Sequence, residues 1–142
     1  MRTIALSLLA ASLILAADVD TPYTRIAKLA TYISGGDTTG ALEAFDKSLT
    51  NYGQISEDLT ALSTQADVLC AIDVVADKEA DDENAAVHHL DLDWYMTLTS
   101  RADTGLTEKR RVRVAVTIQR FKEKWRITAL SPVAILAPIT IK

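Results

Sequence analysis

The chain has 142 residues, 15 of them Lys or Arg and 19 Asp or Glu, for a formal charge of -4, and 49% are hydrophobic. An acidic balance repels phosphate backbones and anionic lipid surfaces, so nucleic acid is not an expected partner. The one cysteine, Cys70, allows no internal disulfide. It stands among Val68, Leu69, Ala71 and Ile72 with no cation beside it, and reads as a small core thiol, not a nucleophile.

Met1-Arg2, an apolar run from Ile4 to Leu15 broken only by Ser7 and Ser12, and Ala16-Ala17 have the parts of a secretory leader. The run is too short for a bilayer span, which needs about 20 residues. Residues 1–17 are therefore expected to be removed, with an uncleaved anchor as the alternative because Leu15 stands where a smaller residue is usual at the cleavage site. Residues 18–142 are expected to form one secreted or periplasmic domain with no stable membrane span. Loss of Arg2 leaves 14 cations against 19 anions. No cysteine follows the run to carry a lipid.

Asp20 or Thr21 caps a first helix with Pro22 in its first turn. Tyr23, Ile26, Ala27, Ala30 and Ile33 recur at helical spacing until Gly35-Gly36 ends it. A second helix is expected from Asp37 or Thr38, carrying Leu42, Phe45 and Leu49. A third, after Asn51, carries Tyr52, Ile55, Leu59 and Leu62, with Glu57 and Asp58 on its solvent side. Each has one apolar stripe to bury.

Strands follow. The first, about Val68 to Ala76, puts Val68, Cys70, Ile72 and Val74 on one face, and Asp81-Asp82-Glu83-Asn84 makes a solvated turn. In the second, Leu90, Leu92, Trp94, Met96 and Leu98 alternate with His89, Asp91, Asp93, Tyr95, Thr97 and Thr99, which gives one dry face and one polar face. Asp103-Thr104-Gly105 turns the chain into a third strand. Val112, Val114, Val116 and Ile118 lie on one face there, with Arg111, Arg113, Thr117 and Gln119 on the other. After Lys122-Glu123-Lys124 a fourth strand brings Trp125, Ile127 and Ala129 inward. Ser131-Pro132 ends it, and Ile135, Leu136 and Ile139 are expected to add a short edge strand. The chain shows no internal repeat, low-complexity stretch or linker. The order implies an α+β roll: three N-terminal helices packed on one face of a curved antiparallel meander of four or more strands.

Three helices before long strands, with Gln119-Arg120-Phe121-Lys122-Glu123-Lys124-Trp125-Arg126-Ile127 and then Leu130-Ser131-Pro132, resemble the nuclear transport factor 2-like superfamily. The likeness runs from about Tyr23 to Pro132. It departs at Lys124, where relatives often carry glycine before the tryptophan. It implies a cone-shaped, ketosteroid-isomerase-type roll around a pocket, and it is closest to secreted bacterial members of uncharacterised role. It also implies that the sheet's outer face commonly packs on a second copy.

The superfamily includes isomerases, epoxide hydrolases and dehydratases whose acids and bases project into the cone. Such chemistry needs a carboxylate or His in a dry pocket. Here the inward face is Val, Leu, Ile, Met and Trp, with no carboxylate in mid-strand. No catalytic residue, cofactor or metal is therefore expected. His88 and His89 point to opposite faces and do not share an ion without a bulge. His88 has the parity of Leu90 and Trp94, at the rim of the cone. A non-catalytic domain is expected, holding a small apolar ligand or serving as an assembly module. Tyr23, Phe45, Tyr52, His88, Trp94, Met96 and Trp125 are the wall candidates for a pocket. On the polar face Asp91, Asp93, Tyr95, Arg111, Arg113 and Thr117 form a solvated surface or a homodimer face. Lys109, Arg110, Arg111 and Arg113 are split between faces, which makes a poor nucleic-acid platform. The alternative is an isomerase, hydratase or hydrolase, with His88, Tyr23, Tyr52 or Asp73 turned into the cone by a bulge or by curvature.

Overall fold

The computed structural model describes residues 19–103 and 105–140, and the expected leader and its cleavage point lie outside them. Helix α1 runs Pro22–Ser34, α2 Thr38–Leu42 and α3 Tyr52–Gln65. Strands β1 Ala66–Asp77, β2 Val87–Ser100, β3 Thr107–Phe121 and β4 Lys124–Ser131 come next, then one 3-10 turn, Val133–Leu136. The strands pair as an antiparallel meander in the order β1-β2-β3-β4. The architecture is an α+β roll with three helices before the sheet. Among the described residues no helix is long and apolar enough to cross a membrane.

Local chemistry sets the helix ends. Thr21 and Thr24 form a reciprocal capping pair at the start of α1, with Pro22 in the first turn. Gly36 takes φ 69 just past its end, and the Asp37 N–H returns to the Tyr32 carbonyl at 2.9 Å. The Asp37 side chain then caps α2 through the Gly40 N–H at 2.9 Å.

Helix α2 is shorter than its periodicity implies. Its continuation through Phe45 and Leu49 is replaced by pairing with the free edge of β4: Ile127 donates to the Ala44 carbonyl at 2.7 Å, and Asp46 donates to the Ile127 carbonyl at 2.9 Å. Strand-edge hydrogen bonds take the place of helical ones. Asp58, expected in solvent, is buried and accepts from Gln54 one turn earlier at 2.8 Å.

The sheet's dry face meets the helices. Leu90, Leu92, Trp94, Met96 and Leu98 pack with Val114, Val116 and Ile118 against Ile26, Leu29, Ile33, Ile55, Leu59 and Leu62. A one-residue slip of β2 would expose all five of its buried apolar side chains, at about 1.5–3 kcal/mol for each. That fixes the register: Trp94 opposite Val112, Asp93 opposite Arg113.

Two bulges break the alternation. Thr128 has no partner on β3, so Ala129, expected inward, is exposed, and Leu130 is buried instead. The second bulge is at Val75. Among the described residues the tail forms no edge strand: Pro132 has no N–H for a ladder, and the 3-10 turn buries Ile135 and Leu136. Arg110 holds this tail. Its guanidinium donates to the Ile135 carbonyl at 2.9 Å and also to those of Ala137 and Pro138.

Candidate functional site

The bulge at Val75 creates the polar corner of the molecule. Asp77 has the parity of Leu69, Ala71 and Asp73, whose side chains are exposed, and an unbroken ladder would leave it among them. Instead Val74 pairs with Leu92, Ala76 with Asp91 and Asp77 with Leu90, so Val75 is an extra residue and Asp77 turns to the helical side. His88 faces that side as expected and is buried. Its Nδ1 lies 2.9 Å from Asp77 Oδ2 and 3.0 Å from Oδ1. Its ring meets Trp125 edge to face, with 5.3 Å between centroids.

Asp77 is well supplied with donors. The Tyr23 hydroxyl donates to Oδ2, and the Glu79 N–H donates to Oδ1 at 3.0 Å. Burial opposes ionisation, but these donors and the imidazole outweigh it and hold the Asp77 carboxyl below its usual range. The same hydrogen bond raises the Tyr23 phenol above its ordinary value.

Glu79 completes the corner. Where β1 leaves the sheet, the Glu79 carboxylate takes the His89 N–H at 2.7 Å, a position a longer β1 would have filled, and His89 Nδ1 lies 2.6 Å from its other oxygen. These bonds, the backbone one first, hold the Glu79 carboxyl below its usual range. His88 and His89 do point to opposite faces, and the residues that join His88 are carboxylates. Sequence reasoning missed both Asp77 and Glu79. The available signal was Val74-Val75-Ala76, three apolar residues in a row where strict alternation demands a polar one.

The seven wall candidates do not form one pocket. Tyr23, His88 and Trp125 meet at this polar corner, with Tyr23 46% exposed. Trp94 and Met96 are fully buried core. Phe45 lies against β4 and, with half-buried Tyr52, lines an open surface cleft of about 570 Å³ between Arg25 and Arg126. Between the helices and β1, at Ile33, Ala41, Leu59, Leu62 and Val68, the remaining space is about 10 Å³, room for about one water. Neither space has His88 in its lining. Cys70 faces this interior, where burial pushes its thiol up to about 12 against a smaller lowering by Trp94.

The polar side chains that alternate with the core residues share the sheet's outer side. Cross-strand rows run Ala71, Tyr95, Arg111, then Asp73, Asp93, Arg113, then His89, Thr117, Ala129. Arg111 donates to both Asp93 oxygens, at 3.2 and 2.8 Å, which lowers the Asp93 carboxyl and raises the guanidinium. Asp91, opposite Ala115, makes no ion pair with a described residue. Leu69 and Val75, 68% and 46% exposed, lie at the β1 margin of this face.

No protein-family model matches the sequence, and no curated protein does. Solved structures match the fold. A conserved protein from Planctomyces limnophilus superposes with TM-score 0.67 at 6% identity, over 76% of this chain and 88% of that one. Aln2 from Streptomyces gives 0.59 at 18% identity, over 80% and 91%. A nuclear transport factor 2-like superfamily protein from Salmonella enterica gives 0.56 at 14% identity, over 84% and 89%. The chain thus has the nuclear transport factor 2-like fold.

Proposed function

We propose that this chain is a secreted or periplasmic, non-catalytic assembly module that uses the outer face of its sheet to bind a second copy of itself. The observation that carries this reading is the distribution of charge on that face. Asp73, Asp91 and Asp93 occupy β1 and β2, while Lys109, Arg111 and Arg113 occupy β3. A two-fold axis along the boundary between β2 and β3 lays the acidic strands of one copy over the basic strand of the other, a self-complementary arrangement. Small side chains at Ala71, Ala115 and Ala129 let the two backbones approach.

The filled interior weighs against an apolar ligand among the helices. The enzyme reading draws on the Asp77–His88 pair, but neither the cleft beside Phe45 nor the space between the helices and β1 reaches that imidazole. The leader pattern from Met1 to Ala17 supports the location.

The test is sedimentation equilibrium on the purified chain. The expected result is a dimer in the micromolar range. The pair Arg111→Glu with Arg113→Glu should be monomeric, as should Asp91→Lys with Asp93→Lys, and mixing the two variants should restore a dimer. A wild-type monomer at the highest soluble concentration overturns the reading.

A further inference from the structure

The corner where β1 leaves the sheet carries a donor set that assembly does not use. Asp77, Glu79 and His88 each offer one ligand atom, and these atoms all lie within 4.8 Å of one another. We propose that Asp77, Glu79 and His88 bind one divalent transition-metal ion of the zinc type.

Burial is the first support. The His88 and Asp77 side chains are 9% and 5% exposed, so little water competes for their donor atoms, while Glu79, at 25%, leaves an approach from solvent. Charge is the second. Among the described residues the ion-pair partners of Asp77 and Glu79 are His88 and His89, with no Lys or Arg at either carboxylate. Two carboxylates with only imidazoles for ion-pair partners are the environment a dication neutralises.

Orientation is the third support. Tyr23 and the Glu79 N–H hold Asp77, so its carboxylate is aimed before any ion arrives, while the His89 ring and N–H keep the Glu79 carboxylate beside it. The donor types then select the ion. One imidazole with two carboxylates suits zinc, cobalt or manganese, and zinc binds more tightly than manganese on the general order of stability, whereas calcium and magnesium take oxygen ligands. Bonds of about 2.0–2.2 Å set tetrahedral donors roughly 3.3–3.6 Å apart. The His88–Asp77 separation opens slightly to reach this, and Glu79 swings in from its turn. His88 coordinates through Nδ1 in its neutral form, so the ion takes the place of the proton shared with Asp77. Water fills the fourth position.

The test is calorimetric titration of the untagged, EDTA-treated chain with zinc chloride, paired with visible absorption on addition of cobalt chloride. One ion per chain is expected, with a cobalt spectrum of low coordination number. A roughly thousandfold excess of magnesium should not displace the ion. Glu79→Gln, on a turn outside the core, should weaken zinc binding about tenfold or more while keeping the wild-type circular dichroism and melting curve. His88→Gln should weaken zinc binding likewise and keep the wild-type circular dichroism, with a lower melting temperature because a buried, paired ring is lost. Absence of stoichiometric binding, or binding undiminished in both folded variants, overturns the proposal.

Discussion

Asp77 and His88, eleven residues apart in the chain, meet at 2.9 Å on the helical side of the sheet because Val75 is left unpaired. The pair is nearly dry, so removing the carboxylate strands an imidazole and a phenol that were using it. In EDTA, Asp77→Ala is expected to cost about 2 kcal/mol in urea unfolding and Tyr23→Phe about 1 kcal/mol. The double variant should lose less than the sum by at least about 0.5 kcal/mol, because both changes delete the same contact. Strict additivity would show that Tyr23 and Asp77 do not act together.

The β3–β4 turn is built without glycine, and Lys122 takes φ 59 there. A left-handed conformation costs a residue bearing a Cβ about 1 kcal/mol. Lys122→Gly should therefore raise the urea midpoint by the equivalent of about 0.5–1 kcal/mol. Gly36→Ala, at φ 69 with nothing within 4 Å of the added methyl, should lower it by about 1 kcal/mol from backbone strain alone.

Cys70 makes the fold sensitive to alkali. Its folded thiol is raised from 9.0 to about 12. A group raised in the folded state contributes its full stability below its unfolded value and loses it as pH climbs through the folded one. The loss should begin near pH 9 and run upward, at no more than about 1.4 kcal/mol per pH unit. The stability difference between wild type and Cys70→Ala, measured in urea at a series of alkaline pH values, should shrink or change sign along this slope. A thiol reagent at neutral pH should modify Cys70 slowly in buffer and quickly in urea.

Arg110 ties the last described segment to the sheet through three backbone carbonyls. Charge-assisted bonds of this kind are the stronger ones. Arg110→Ala should cost about 2 kcal/mol. It should also speed hydrogen exchange from Val133 to Ile139 well before the strands respond. Protection that falls equally in β2 would show that the tail and the sheet open together.

The sequence made the fold legible wherever burial was one-sided. Alternation from Leu90 to Leu98 and the valines of β3 assigned their faces correctly, since a slip there exposes several large side chains at once. It misled where backbone partners intervened. Phe45 was drawn out of α2 by the free edge of β4, and Thr128 reversed Ala129. Of the candidate site, His88, Tyr23 and Trp125 were visible, but Asp77 was hidden, because parity places it in water and only an unpaired residue turns it round. Glu79 lies beyond the strand, where periodicity carries no information.

Val75 also makes the corner tolerant of changes in chain length. The ladder absorbs this residue without altering the pairing phase of Ala76 and Asp77, so excising it should give an uninterrupted β1 in which Asp77 still opposes Leu90. A second residue added beside it must either widen the kink or rotate the carboxylate out to solvent. The strand therefore has one residue of slack, and that slack sits just upstream of the side chain that organises the corner.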